Sequence, residues 1–104
     1  MQFRMILQTS GFVAGLTMLA SVAQAQAIQQ ACLQSDRGAS QLVCRCIQHA
    51  ADQTLSNQDQ RRAARFFRNP EEAQKVRRSD RQRDEAFWDR YRAFSARAEQ
   101  TCRS

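Results

Sequence analysis

Four cysteines constrain the fold of this chain more than any other feature: Cys32, Cys44, Cys46 and Cys102. An even number of cysteines in a short exported chain indicates a disulfide framework, here of two bonds. Cys44 and Cys46 are two residues apart, and residues at that spacing on a helix point about 200° apart. Each is therefore expected to bond a distant cysteine rather than its neighbour.

Two pairings of these cysteines remain possible. Cys32 lies on a predicted helix that forms a hairpin with the Cys44 helix, which makes it the natural partner of Cys44. Cys102 ends the apolar stripe of the last predicted helix and is the natural partner of Cys46. The alternative, Cys32–Cys46 with Cys44–Cys102, stays open because sequence alone does not fix connectivity.

Residues 1–25 have the features of a secretory signal peptide. A positively charged start precedes an apolar run over residues 5–19, and Ala23-Gln24-Ala25 supplies a cleavage pattern of small residues. A second triplet, Ala25-Gln26-Ala27, would shift the cut by two residues. The apolar run is shorter than the ~20 residues that a membrane-spanning helix needs. We therefore predict export to the periplasm or beyond, with residues 26–104 as the mature domain.

The segment 26–104 is expected to form one small all-α domain. Removal of 25 residues from the 104 leaves 79, a length at which the core alone is marginal and disulfides are needed. The segment has a single glycine, Gly38, a single proline, Pro70, and few β-branched residues, whereas Ala, Gln, Arg and Glu dominate. The prediction is a bundle of three to four helices with a long C-terminal helix.

Periodicity and capping place the first helices. Residues 28–33 are predicted to form a short helix, and residues 40–51 a second one that Ser40 caps. Apolar side chains recur in the second helix at positions i, i+3, i+4 and i+7, and these are predicted to be its buried stripe: Val43, Cys46, Ile47 and Ala50.

The third helix, predicted over residues 56–68, begins with Ser56-Asn57-Gln58-Asp59, which resembles a capping box. Its arginines share one side: Arg61, Arg62, Arg65 and Arg68. Phe66 and Phe67 lie on the other. Such a helix could meet anionic lipid headgroups, an acidic partner or an anionic envelope polymer. A core helix with a solvated arginine face is favoured, because so small a domain needs both rings.

Asn69 and Pro70 open the next helix as N-cap and first helical residue, which makes this the firmest boundary in the chain. The helical pattern then continues to Cys102. Residues 77–85 are highly charged, and a helix cap can form there, so a break near Ser79 stays open.

Trp88 is a second candidate surface residue. It lies about 100° round the helix from Phe87, which is a predicted core position. It can pack at the edge of the core or serve as an exposed anchor for a partner. The candidate binding surface therefore comprises five residues: Arg61, Arg62, Arg65, Arg68 and Trp88.

No catalytic residue, metal site or cofactor is predicted. His49 shares a helix face with Cys46, but Cys44 points elsewhere and exported cysteines are normally oxidised. A C-x-C sequence inside a helix also lacks the reactive C-x-x-C arrangement at a helix start. Structural disulfides are favoured over a redox or metal role, and the chain is not expected to be an enzyme.

Export argues against nucleic acid as a partner.

Several short runs carry a resemblance: Asp59 to Phe67, Pro70-Glu71, Arg78-Ser79-Asp80 and Asp84 to Trp88. Over about Cys32 to Cys102 the chain resembles a group of short exported bacterial proteins that are uncharacterised and sometimes labelled "arginine transporter". The resemblance implies no established chemistry for particular residues. Because no segment beyond the signal is expected to span a membrane, the chain could at most assist a permease.

The net charge helps to define the functional prediction. It is +6 for the whole chain, and removal of Arg4 with the signal peptide lowers it by one to +5. We predict an exported binding or accessory protein of the cell envelope with no catalytic activity, acting on an unknown envelope protein. The alternative is a peripheral binder of anionic membrane or envelope polymer through the helix of Arg61 to Arg68. A redox or metal-binding role ranks third.

Overall fold

The computed structural model describes residues 26–36 and 38–103, so the predicted signal peptide lies outside the described residues. Those residues form five α-helices and no strand: α1 Ala27–Gln34, α2 Gln41–Thr54, α3 Asn57–Arg68, α4 Pro70–Arg78 and α5 Gln82–Thr101. The predicted all-α fold is confirmed. Helix α2 packs against both α1 and α5, and α1 also packs against α3.

The predicted caps set the helix starts. The Ser40 hydroxyl accepts a hydrogen bond from the Val43 N–H at 3.1 Å, and the Ser56 hydroxyl accepts one from the Asp59 N–H at 3.1 Å. Asn69 caps α4 through its side-chain oxygen, with Pro70 in the first turn. These contacts satisfy N–H groups that have no partner inside the helix.

The helical pattern that starts at Pro70 is broken at Ser79. The Ser79 hydroxyl accepts a hydrogen bond from the Arg81 N–H at 3.2 Å and donates one to Asp84 at 2.6 Å. These bonds hold the turn between α4 and α5 together. The bundle therefore has five helices within the described residues rather than the predicted three to four, and α5 remains the long C-terminal one.

Two disulfides join the helices, Cys32–Cys44 and Cys46–Cys102. The first ties α1 to α2, and the second ties α2 to the residue that follows α5. This is the predicted natural pairing, and the alternative is excluded. Each covalent tie links helices that also pack against each other.

The predicted buried stripe of α2 is partly wrong. Cys44 and Gln48 are buried, as Ala50 is, whereas Val43, Cys46 and Ile47 are only half-buried. The reason is that α2 packs on two sides. The side of Cys44 and Gln48 meets α1. The side of Cys46 and Ile47 faces the end of α5, where both residues stay half-buried.

An aromatic cluster between α3 and α5 forms much of the core. The Phe66 ring lies 5.1 Å from the Tyr91 ring and 5.9 Å from the Phe87 ring, centroid to centroid, both in edge-on geometry. Trp88 is half-buried and stacks on Tyr91 at 5.2 Å. It therefore packs at the edge of the core. Phe66 is buried as predicted, but Phe67 is only half-buried.

Two glutamines lie inside the bundle. Gln48 and Gln60 are 5% and 2% exposed, and the Gln48 amide donates to the Gln60 side-chain oxygen at 2.8 Å. Gln48 also accepts from the Gln29 N–H at 2.9 Å, and both amides donate to Asp52. Buried polar groups need such partners. The network connects α1, α2 and α3.

Candidate functional site

A groove of about 630 Å³ runs between α3 and the first half of α5. Six arginines line it: Arg61, Arg62, Arg65, Arg81, Arg83 and Arg90. The acidic residues of its lining are Asp59 and Asp84, so these side chains give a net charge of four positive. We call this site the arginine groove.

The two aspartates each hold one arginine. Arg90 donates to both carboxylate oxygens of Asp59, from Nε at 2.6 Å and from Nη2 at 3.1 Å. This hydrogen bonding raises the pKa of Arg90. Arg62 donates to Asp84 at 2.6 Å, and its guanidinium carbon lies 4.5 Å from the centroid of the Phe87 ring. The two ion pairs bridge α3 and α5 within the groove.

The other four arginines of the groove are exposed: Arg61, Arg65, Arg81 and Arg83. None of the described carboxylates lies within ion-pair distance of them. Two of the four belong to α3 and two flank the start of α5. The groove thus presents solvent-facing guanidinium groups along both of its walls.

Only three of the five residues of the predicted binding surface line the arginine groove. Arg61, Arg62 and Arg65 line the groove, whereas Arg68 is exposed outside its lining. Trp88 belongs to the aromatic cluster with Phe66 and Tyr91.

The sequence-based prediction missed three arginines, which come from the residue before α5 and from its first half: Arg81, Arg83 and Arg90. For Arg81 and Arg83 the available signal is the charge-rich run over residues 77–85, from which sequence predicts a possible helix break and carboxylate–arginine pairs. These residues form one wall of a groove only because α5 folds back against α3, and the sequence does not show that contact.

His49 and the cysteines, which are the candidates for metal or redox chemistry, do not line the arginine groove. His49 is exposed, and its Nε2 lies 3.3 Å from the Gln53 amide nitrogen. Over residues 26–36 and 38–103, no three His, Cys, Asp or Glu side chains are grouped closely enough to hold a metal ion.

In the same ranges, no helix is both long enough and apolar enough to cross a membrane.

Comparisons with protein-family models, with curated proteins and with solved structures find no match to this chain. The resemblance to short exported bacterial proteins stays a prediction.

Asp84 makes the stability of the fold depend on pH. Its pKa lies below the ordinary value of 3.8, because Ser79 and Arg62 both donate hydrogen bonds to its ionised carboxylate. The folded state therefore binds this proton less tightly than the unfolded chain does. The stabilisation from ionised Asp84 is present above about pH 4 and is lost as the pH falls through the lowered pKa of the folded state.

We expect Asp84→Asn to be less stable than the wild type at pH 7 and to approach it as the pH is lowered to about 2.5. Urea unfolding followed by circular dichroism at several pH values measures the difference. Glu85→Gln is the matched control, because Glu85 is exposed and forms no ion pair with any described residue. A deficit of Asp84→Asn that stays constant from pH 7 to pH 2.5 would contradict the linkage.

Proposed function

We propose that this chain is an exported binding protein of the cell envelope, and that its arginine groove holds a segment of an extended anionic polymer. The proposal rests above all on one observation. Four exposed arginines line the groove with no carboxylate of the described residues within ion-pair distance, beside two more that pair with Asp59 and Asp84. Arginine is suited to bidentate contacts with phosphate and carboxylate groups.

The chemistry of the groove supports binding rather than catalysis. Guanidinium groups remain protonated in proteins and do not act as proton acceptors. Asp59 and Asp84, the acidic residues of the lining, are each engaged by an arginine. Export is supported by the two disulfides, which persist in oxidising compartments outside the cytosol.

An extended polymer fits the groove better than a small molecule or a membrane surface does. Small-molecule pockets are mostly apolar, whereas the lining here is mostly charged. Peripheral membrane helices place apolar rings beside their basic residues. In α3, Phe66 is buried in the aromatic cluster and Phe67 lines a different groove with Ile47 and Phe94, so the arginine groove presents no exposed ring of α3.

Binding of fluorescently labelled polyphosphate and poly-glutamate, measured by anisotropy, tests the proposal. Four exposed contacts of up to about 1 kcal/mol each predict that changing Arg61, Arg65, Arg81 and Arg83 to Gln weakens binding by up to roughly 1000-fold at low salt. The wild-type affinity should fall steeply with salt, with a log–log slope of about −3 for four contacts on a flexible chain.

A charge-matched control separates the groove from the general positive charge of the protein. It replaces four exposed arginines outside the lining: Arg45, Arg68, Arg92 and Arg103. This variant should retain most of the wild-type affinity. Equal losses in the two variants would refute a role for the groove. Wild-type protein that binds anionic vesicles but neither polymer would instead establish the peripheral membrane alternative.

A further inference from the structure

The two disulfides differ sharply in their exposure to solvent. Cys32 and Cys44 are 2% and 0% exposed, between α1 and α2. Cys46, in α2, and Cys102, which follows α5, are both half-buried. Thiol–disulfide exchange requires an attacking thiolate to reach a sulfur atom, so its rate depends on access. The exposed fraction alone therefore predicts different reactivities for the two bonds.

An open groove beside Cys102 offers an external thiolate a route to this disulfide. Cys102 lines an open groove of about 250 Å³ together with Ile47 and Ala98. The Thr101 hydroxyl lies 3.5 Å from the Cys102 sulfur and 4.0 Å from the Cys46 sulfur. The bond thus has a polar neighbour and an open side, whereas the sulfurs of Cys32–Cys44 are enclosed by the bundle.

We propose that Cys46–Cys102 is a site of reversible thiol–disulfide exchange with an external dithiol, while Cys32–Cys44 is a permanent crosslink. A thiolate of the dithiol attacks the Cys102 sulfur and forms a mixed disulfide, and Cys46 leaves as a thiolate that takes a proton. The second thiol of the dithiol then attacks the mixed disulfide, becoming part of a new disulfide and releasing Cys102 as a thiol. Two electrons pass from the dithiol to the protein.

Opening this bond should release one end of one helix. Phe94 is the last buried residue of α5, and the residues from Ser95 onward are half-buried or exposed. Besides the disulfide, this end of α5 has two weaker contacts: half-buried Ala98, and a hydrogen bond of 3.0 Å from Arg97 to the exposed Gln53 side chain. The first part of α5 keeps its core contacts through Phe87 and its ion pair through Arg90. Reduction should therefore loosen α5 from about residue 95 onward and leave the arginine groove in place. The redox state of the Cys46–Cys102 bond therefore controls whether the last part of α5 is covalently held to α2.

Limited reduction of the intact protein tests this inference. Samples treated with increasing dithiothreitol are trapped with iodoacetamide and mapped by mass spectrometry. Cys46 and Cys102 should be alkylated first, with Cys32 and Cys44 unmodified and the circular dichroism spectrum nearly unchanged. Hydrogen exchange in residues 96–101 should accelerate by about tenfold or more, without matching acceleration in α2.

The double variant Cys46→Ala/Cys102→Ala provides a second measurement. In this variant the remaining disulfide should resist the dithiothreitol concentration that opens Cys46–Cys102 in the wild type. Alkylation of all four wild-type cysteines at one rate, or only together with loss of helicity, would overturn the proposal. Polyphosphate binding by the selectively reduced protein should match that of the oxidised protein, so this inference and the function of the groove can fail separately.

Discussion

Replacing both cysteines of the buried disulfide, in the variant Cys32→Ala/Cys44→Ala, is expected to leave the domain largely unfolded at 37 °C. The bond spans a sequence separation of 12, and closing a loop of this size in the unfolded chain accounts for about 3 kcal/mol. Both sulfurs are buried, and losing their packing adds about 1 kcal/mol each. The sum of about 5 kcal/mol matches the entire stability of many small domains. Urea unfolding followed by circular dichroism measures the loss.

The variant Cys46→Ala/Cys102→Ala is the matched comparison. Its sequence separation of 56 corresponds to about 4 kcal/mol, so loop length alone ranks this disulfide as the more stabilising. The half-buried sulfurs contribute less packing, however, and the released end of α5 gains freedom in the folded state, which offsets most of the loss. We therefore expect the Cys32/Cys44 variant to be the less stable of the two. The opposite ranking would show that loop closure outweighs burial in this domain.

The features that could be predicted from sequence are those that local chemistry determines. Ser40, Ser56 and Asn69 cap helices because their side-chain oxygens reach N–H groups two or three residues ahead. Pro70 fits the first turn of α4 for a similarly local reason. For the disulfides, helix geometry excludes a Cys44–Cys46 bond, because the two residues point to different sides of one helix. The choice between the two remaining pairings comes from the structure.

The features that could not be predicted depend on how helices meet. The prediction for α2 assumed a single buried stripe, but the helix packs against α1 on one side and α5 on another. Gln48 and Gln60 are buried because each finds partners outside its own helix. Gln48 accepts from the Gln29 backbone, and Gln60 donates to the Asp52 carboxylate and the Leu55 carbonyl. A pattern of apolar residues carries no information about such polar pairs.

The arginine groove also depends on tertiary structure. Arg62 and Asp84 are 22 residues apart, and Asp59 and Arg90 are 31 apart. No periodicity within one helix relates such positions. The break at Ser79 brings them together, because it lets α5 turn back and lie against α3. The sequence contained the arginines of both walls, but only the fold shows that they face one groove.

Two neighbouring phenylalanines offer the sharpest test of how burial is divided between the faces of α3. Phe66→Ala is expected to cost about 3–5 kcal/mol, because its ring is 5% exposed and contacts the rings of Phe87 and Tyr91. Phe67→Ala should cost only about 1–2 kcal/mol, since that ring is half-buried beside an open groove. The two changes are chemically identical and adjacent on one helix, so helix propensity cancels in the comparison.

Chemical unfolding of both variants measures this difference, and polyphosphate binding gives a second readout. Phe67→Ala should stay folded at 25 °C and keep the wild-type affinity, because Phe67 does not line the arginine groove. Phe66→Ala should lose helicity and binding together, since Phe66 packs on Phe87, which supports the Arg62 guanidinium. Equal destabilisation by the two changes would mean that both rings are core, as the sequence alone had predicted. A folded Phe67→Ala protein with lost affinity would place the binding surface on the opposite side of α3 from the arginine groove.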